Sequence, residues 1–153
     1  MLQLQMDALT DGAVIALLNE HRQQMQRYSP AESIHALDEA AIRQPEVTFW
    51  SVRDGDTIAG CGALKALNDK HGEIKSMKTS EHFLRQGVAA QILDAIIAEA
   101  RQRGYQRLSL ETGTHEAFLP AIRLYQRAGF IDCEPFADYQ PDPHSRFLSL
   151  TLS

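Results

Sequence analysis

The residues best placed to do chemistry fall between positions 72 and 103, where a strand-like run, Gly72 to Thr79, leads through Leu84-Arg85-Gln86-Gly87-Val88-Ala89 into a long amphipathic segment. A strand that turns on glycine and opens a helix leaves the first-turn N–H groups without intrahelical partners, and the helix dipole makes that end attractive to an anion. Gly87 lets backbone approach a diphosphate closely, Ala89 keeps the wall small, and Arg85 can add charge-assisted hydrogen bonds. The chain has no Gly-x-x-x-x-Gly-Lys-Ser/Thr run and no Gly-x-Gly-x-x-Gly after a strand. That excludes the two commonest nucleotide cradles and leaves other phosphate-bearing ligands, coenzyme A among them.

Other chemistries are less well served. The histidines at 21, 35, 71, 82, 115 and 144 show no His-x-x-x-His or His-Glu-x-x-His spacing, so no metal is expected. Cys61 and Cys133 lie far apart without Cys-x-x-Cys spacing and read as reduced thiols, neither of them in the setting of an activated nucleophile. A formal charge of −5 over 153 residues argues against nucleic-acid binding. Met1 to Asp11 lacks the pattern of a signal peptide, and no apolar run approaches the roughly 18 to 20 residues a membrane span needs. The expectation is a soluble cytoplasmic protein without membrane partners, folded as a single domain over residues 1–153.

The elements that must position the cradle follow from periodicity. Leu2, Leu4 and Met6 alternate with polar residues as a first strand, and Thr10 or Asp11 offers an N-cap to a helix reaching about Tyr28. A second helix is expected over about Ser33 to Arg43, ended by Pro45. Val47 to Arg53 and Thr57 to Ala66 read as a hairpin joined at Asp54-Gly55-Asp56, with Asp-Gly supplying positive φ. A third antiparallel strand ends at Thr79. Val88, Ile92, Leu93, Ile96, Ile97 and Ala100 then recur at helical spacing up to Gly104. Arg107 to Glu111 reads as a buried strand, Ala117 to Ala128 as a helix, and Phe130 to Phe136 and Arg146 to Leu152 as closing strands around a Pro141-Asp142-Pro143 loop suited to carry specificity.

This order, with Arg85-Gln86-Gly87-Val88-Ala89 followed at the proper separation by Leu124-Tyr125-Gln126-Arg127-Ala128-Gly129-Phe130, resembles the GNAT superfamily of acyl-CoA-dependent N-acetyltransferases over nearly the whole chain. The resemblance implies an α/β (α+β) fold. Its central sheet would be mixed but mostly antiparallel, with about six to seven strands flanked by about four helices. One departure is visible: the family's Gln/Arg-x-x-Gly-x-Gly/Ala begins here on Leu84, and Arg85 occupies a second position where glycine is absent.

The resemblance also implies the ligand and the roles. Acetyl-CoA would be the co-substrate, with no metal, its pyrophosphate held by Arg85, Gln86, Gly87, Val88, Ala89 and Ala90. The strand bearing Met77, Lys78 and Thr79 would splay from Arg107 to Glu111, so that pantetheine pairs with its main chain. Amine acylation needs a deprotonated amine, a polarised carbonyl and a proton for the thiolate. The family pattern assigns the proton to Tyr125 and the polarisation to the Met77 N–H. Glu73, at the offset of the catalytic glutamate in the histone-acetylating branch, is the expected base, directly or through water. Glu111 is an alternative base or substrate anchor, His115 a possible substrate contact, and Arg22, Arg27 and Tyr28 a possible carboxylate site. The expected reaction is acetyl transfer to a primary amine of a small molecule by direct attack in a ternary complex. A protein-lysine or N-terminal acetyltransferase and a non-catalytic acyl-CoA-binding module are the rivals, and a homodimer is plausible through the C-terminal strands.

Overall fold

A computed structural model of the chain describes residues 1–30 and 39–152. Seven strands, β1 (Leu2–Asp7), β2 (Val47–Asp54), β3 (Thr57–Ala66), β4 (His71–Thr79), β5 (Arg107–Gly113), β6 (Ile131–Asp132) and β7 (Ser145–Thr151), form one sheet in the order β1-β2-β3-β4-β5-β7-β6. Every neighbouring pair is antiparallel except β4 and β5. That parallel pair needs a crossover, which α3 (Val88–Gln102) supplies. The other helices are α1 (Ala13–Met25), α2 (Glu39–Ile42) and α4 (Leu119–Arg127).

The two faces of the sheet are covered separately. On one, α3 buries Val88, Ile92, Leu93, Ile96, Ile97 and Ala100, the stripe its spacing predicts, in a cluster with Leu64, Ile74, Leu108, Leu110 and Leu148. On the other, Val14 and Leu17 of α1 and Ile42 of α2 pack on Phe49, Cys61 and Ala63. Full burial of such aliphatic side chains is worth about 1.5–3 kcal/mol each, which is what fixes the register of a two-faced sheet.

Several boundaries differ from the sequence reading. The β2–β3 turn is centred one residue later, because Asp54 pairs with Thr57 and only Gly55, at φ 60°, takes positive φ. α1 is capped by Gly12 in the left-handed region, with Asp11 Oδ1 accepting the Ala13 N–H at 3.1 Å, and it ends at Met25. α4 starts later than expected because Glu116–Phe118 form a 3-10 turn ahead of it. The expected strand from Phe130 to Phe136 shrinks to Ile131–Asp132: after Cys133 donates to Phe147 O at 2.9 Å, the chain leaves the sheet before Pro135, which has no N–H to give. β5 runs on to Gly113 because β7 pairs with it that far. Of the expected second helix, residues 33–38 lie outside the described residues, and His35 with them.

Candidate functional site

The site begins where β4 and β5 part. Their parallel pairing covers only His71↔Arg107 to Ile74↔Leu110; beyond that, Lys75 to Thr79 and Glu111 to Gly113 pair with β3 and β7 but not with each other. The fork opens on a cleft of about 1090 Å³ whose walls include Glu73, Met77, Arg85, Gly87, Glu111 and Tyr125. That is at the upper end of ordinary ligand pockets.

A bulge sets which β4 side chains face which wall. Ala63 pairs with Lys75 and Cys61 with Lys78, so three β4 steps oppose two on β3. The extra residue is Ser76, a non-glycine at φ 59°. The Met77 side chain consequently lies on the α3 face, where a Cβ on Gly62 would come 2.4 Å from its Sδ, while Lys75 and Lys78 both sit on the α1 face. Beyond Ile74 the β4 main chain has no β5 partner.

At the wide end, β4 leads through a 3-10 turn (Glu81–Phe83) to the cradle. Arg85 at φ 64° and Gly87 at φ 79° bring the chain into α3, whose N-cap is Gly87. Gln91 N–H is the first to bond back, to Gly87 O at 3.0 Å, so the amides of Val88, Ala89 and Ala90 are without intrahelical acceptors. No acidic residue stands in the first turn, and no side chain caps it. A Cβ at Gly87 would meet nothing within 4 Å. The geometry is that of an anion cradle: donors converge, the dipole adds positive potential, and there is room above them.

On the α4 wall, Tyr125 is 6% exposed, its ring edge-on to Phe130 at 5.7 Å. Its hydroxyl has no hydrogen-bond partner among the described residues, and the side chain lines the cleft. Burial pushes the phenol's pKa well up, so it holds its proton.

The α1 face of the fork carries a compact polar group. Glu73 is 2% exposed, and its Oε2 accepts from Tyr139 Oη at 2.5 Å and from Lys75 Nζ at 3.2 Å. Lys75 Nζ also donates to Tyr139 Oη at 2.8 Å. Burial, then the Glu73 charge and its hydrogen bond, keep the Tyr139 phenol protonated. The Tyr139 ring is held by Phe136 at 5.1 Å and Phe147 at 5.6 Å. Further along the same face, Lys78 Nζ donates to Gln24 Oε1, and Gln24 Nε2 to Glu81 Oε1 at 3.1 Å, tying α1 to the cradle. His21, one turn back on α1, lines the cleft as a neutral imidazole: burial and the Lys78 charge lower its pKa from 6.5 to about 4.

Cys61 lines the cleft too, but its thiol donates to Ser76 O at 3.3 Å, and burial pushes its pKa up to about 12. It is not a thiolate nucleophile. Among the described residues, no group of His, Cys, Asp and Glu is arranged to hold a metal ion.

Of the residues singled out from sequence, Glu73, Met77, Lys78, Thr79, Arg85, Gly87, Val88, Ala89, Ala90, Glu111 and Tyr125 all line this one cleft, as do Arg22, Arg27 and Tyr28. Gln86 and His115 do not. Gln86 turns its amide to His82 O at 3.4 Å. His115 Nδ1 caps the 3-10 turn by accepting the Ala117 N–H at 3.0 Å, and its ring packs on Tyr28 at 4.8 Å. Tyr139, Lys75 and His21 were not picked out. For Lys75 a signal existed, since residues two apart on a strand share a face with Glu73.

Comparison with known proteins gives consistent relatives. The model of the acetyltransferase (GNAT) family matches residues 14–130. The uncharacterized N-acetyltransferase YsnE of Bacillus subtilis is 55% identical over 151 residues, 99% of this chain and 100% of its own length. Among solved structures, one described as an acyl-CoA N-acyltransferase of Klebsiella pneumoniae aligns with a TM-score of 0.81 at 30% identity, covering 100% of this chain and 99% of that one. A GNAT-family acetyltransferase of Elizabethkingia anophelis, solved with acetyl-CoA bound, aligns with a TM-score of 0.69 at 18% identity, covering 99% of this chain and 98% of that one, a likeness of fold.

Proposed function

Because the chain belongs to the GNAT acetyltransferase family, we propose that it transfers an acetyl group from acetyl-CoA to a primary amine of a small molecule, by direct attack in a ternary complex. The observation that carries this reading is the fork itself. Unpaired β4 main chain, an anion cradle without a built-in acid, and a buried protonated tyrosine converge on one cleft.

Each residue then has a task. The amides of Val88, Ala89 and Ala90 hold the pyrophosphate, with Arg85 beside them. The main chain of Met77 and Thr79 pairs with the pantetheine arm. Acetyl-CoA supplies the acyl group as an activated thioester. The Met77 N–H polarises the carbonyl as negative charge develops on it. Tyr125 gives its proton to the departing sulfur, for which a phenol kept protonated by burial is suited. Glu73, at the apex of the fork, receives the proton the amine must lose. Glu111, across the fork, is placed to anchor the ammonium of the acceptor. Direct attack fits better than an acyl-cysteine route, since the thiol lining the cleft stays protonated. The two free cysteines suit a cytoplasmic setting.

Calorimetric titration with acetyl-CoA tests the reading. Wild-type protein is expected to bind saturably, and Gly87→Glu to lose binding while remaining folded, because a carboxylate would stand in the cradle. A folded wild type that does not bind acetyl-CoA overturns the proposal.

A further inference from the structure

Glu73 is poorly placed to take a proton from the acceptor unaided. Met77, whose N–H is assigned to the acyl carbonyl, lies four residues further along β4, about 13 Å of extended strand and more than a Glu side chain spans. Glu73 is also nearly inaccessible, and its Oε2 is already engaged by Lys75 and Tyr139. The proton therefore needs a carrier between nitrogen and carboxylate.

We propose that the Tyr139 hydroxyl is that carrier, a further catalytic residue supplied by the loop between β6 and β7. The proposal rests on the amine-acetylating reading of the cleft. Tyr139 lines the cleft, donates its own proton to Glu73 Oε2, and accepts a hydrogen bond from the Lys75 ammonium. A hydroxyl that lines the cleft and donates to the final acceptor can take a proton at its oxygen as it gives up its own, and so pass one on without ever ionising. Lys75 holds the phenolic oxygen by hydrogen bond, and its ammonium lies 5.5 Å from the ring centroid. Phe136 and Phe147 fix the ring. A free strap would not need three aromatic residues packed together and a buried ion pair beneath them.

The step balances. The relay acts on the bound ammonium before attack: one nitrogen proton passes to Tyr139 Oη as the Tyr139 proton passes to Glu73 Oε2, which leaves the nitrogen a lone pair. The neutral amine then forms its bond to the acetyl carbon, the C–S bond breaks, and the sulfur takes the Tyr125 proton. The second nitrogen proton and the one on Glu73 leave to solvent and Tyr125 regains one, so Tyr139 ends as it began and an amine that arrives neutral bypasses the relay. Burial first, then the Glu73 charge and hydrogen bond and the Glu111 charge, hold the proton on the phenol and keep the carrier neutral between turnovers.

The test uses two probe amines with acetyl-CoA and a free-thiol readout. Benzylamine is almost wholly protonated at pH 7 and must lose a proton to react; hydroxylamine is largely unprotonated there. Tyr139→Phe keeps the ring contacts and removes only the hydroxyl. The expected result is a fall of about 10²-fold in kcat with benzylamine, a change of less than about threefold with hydroxylamine, and an unchanged Kd for acetyl-CoA. Glu73→Gln should give the same pattern, and the double variant no more than either alone, because the two act as one unit. Equal losses with both amines, or no loss with benzylamine, overturn the relay. A wild type that binds acetyl-CoA but acetylates neither probe overturns the amine-acetylating reading beneath it.

Discussion

Replacing Gly62 by alanine tests whether the position of Met77 matters, without touching the cleft. A Cβ at Gly62 would stand 2.4 Å from Met77 Sδ, 2.6 Å from Ile92 Cγ2 and 3.4 Å from Ile96 Cδ1. Carbon contacts settle near 3.5–4.0 Å, so Met77 and Ile92 must each give by about 1 Å. Ile92 is fully buried in the α3 stripe and cannot retreat far. Met77 lies on the half of β4 that β5 does not support, so the bulged strand is the softer partner. Overpacking of this kind costs about 1–3 kcal/mol, or about 2–12 °C in Tm for a domain of this size. If the strand moves, at least one main-chain hydrogen bond to the pantetheine arm is spoiled, and about 1.4 kcal/mol lost there is a tenfold weaker Kd.

Gly72→Ala is the matched control. Its Cβ would meet Leu64 Cδ1 at 2.7 Å and Tyr105 Cε2 at 2.9 Å, but on the half of β4 paired on both sides. Thermal melts and calorimetric titration of the two variants should show similar destabilisation, with acetyl-CoA affinity falling about tenfold for Gly62→Ala alone. Unchanged affinity in Gly62→Ala, with Tm lowered, would mean that the Met77 side chain swings aside and that the bulge does not place the ligand-facing main chain.

Other consequences follow from the same geometry. Tyr125→Phe should lower kcat by about 10²-fold and leave the Kd for acetyl-CoA unchanged; a kcat within threefold of wild type would remove Tyr125 as the acid. Arg85→Gly should stabilise the fold by about 1 kcal/mol in urea melts, because a non-glycine at φ 64° is strained, yet weaken acetyl-CoA binding by removing a cation from the cradle. An affinity equal to wild type would take the Arg85 side chain out of the site. The His21 pKa is lowered from 6.5 to about 4, so the unfolded chain binds more protons than the folded one between those values; this contribution is intact above about 6.5 and is lost as pH falls towards 4. The loss is at most about 3 kcal/mol, and His21→Gln should flatten that part of a urea-stability profile, whereas His71, lowered in the same direction, remains in both proteins. Identical pH slopes for the two would show that His21 is more solvated than its burial implies. Iodoacetamide at pH 8 should modify the partly exposed Cys133 and spare Cys61, whose thiol is held protonated and bonded to Ser76 O; rapid labelling of Cys61 would reopen an acyl-cysteine route.

What the sequence made legible is what local pattern encodes. The hairpin of β2 and β3, the α3 stripe and the cradle at its start are each written in contiguous residues, with periods of two and 3.6 and a glycine at the turn. The family's seven-stranded sheet follows from their order. Tyr139 was hidden for the opposite reason: it stands 66 residues from Glu73, on an irregular segment with no period, and reaches the site only because Phe136 and Phe147 pin that segment to the sheet. His115 illustrates the converse, a polar residue beside the site whose Nδ1 is taken by the turn it caps.

The bulge at Ser76 shows most clearly how pattern and site diverge. Strict alternation along β4 would set Glu73, Lys75, Met77 and Thr79 on one face, so that Met77 would crowd the acceptor side of the fork. One extra residue, taken up by a serine that gives no local sign of accepting φ 59°, reverses the alternation from that point. Met77 goes to the α3 core, and Lys78, still paired with Cys61 of β3, goes to α1 and ties it to the cradle. The fork itself is the parting of β4 from β5 after Ile74↔Leu110, and the bulge, on the β3 side, sets which β4 side chains border it. The bulge that decides which β4 side chains border the fork is thus the one place where the strand's sequence does not predict its faces.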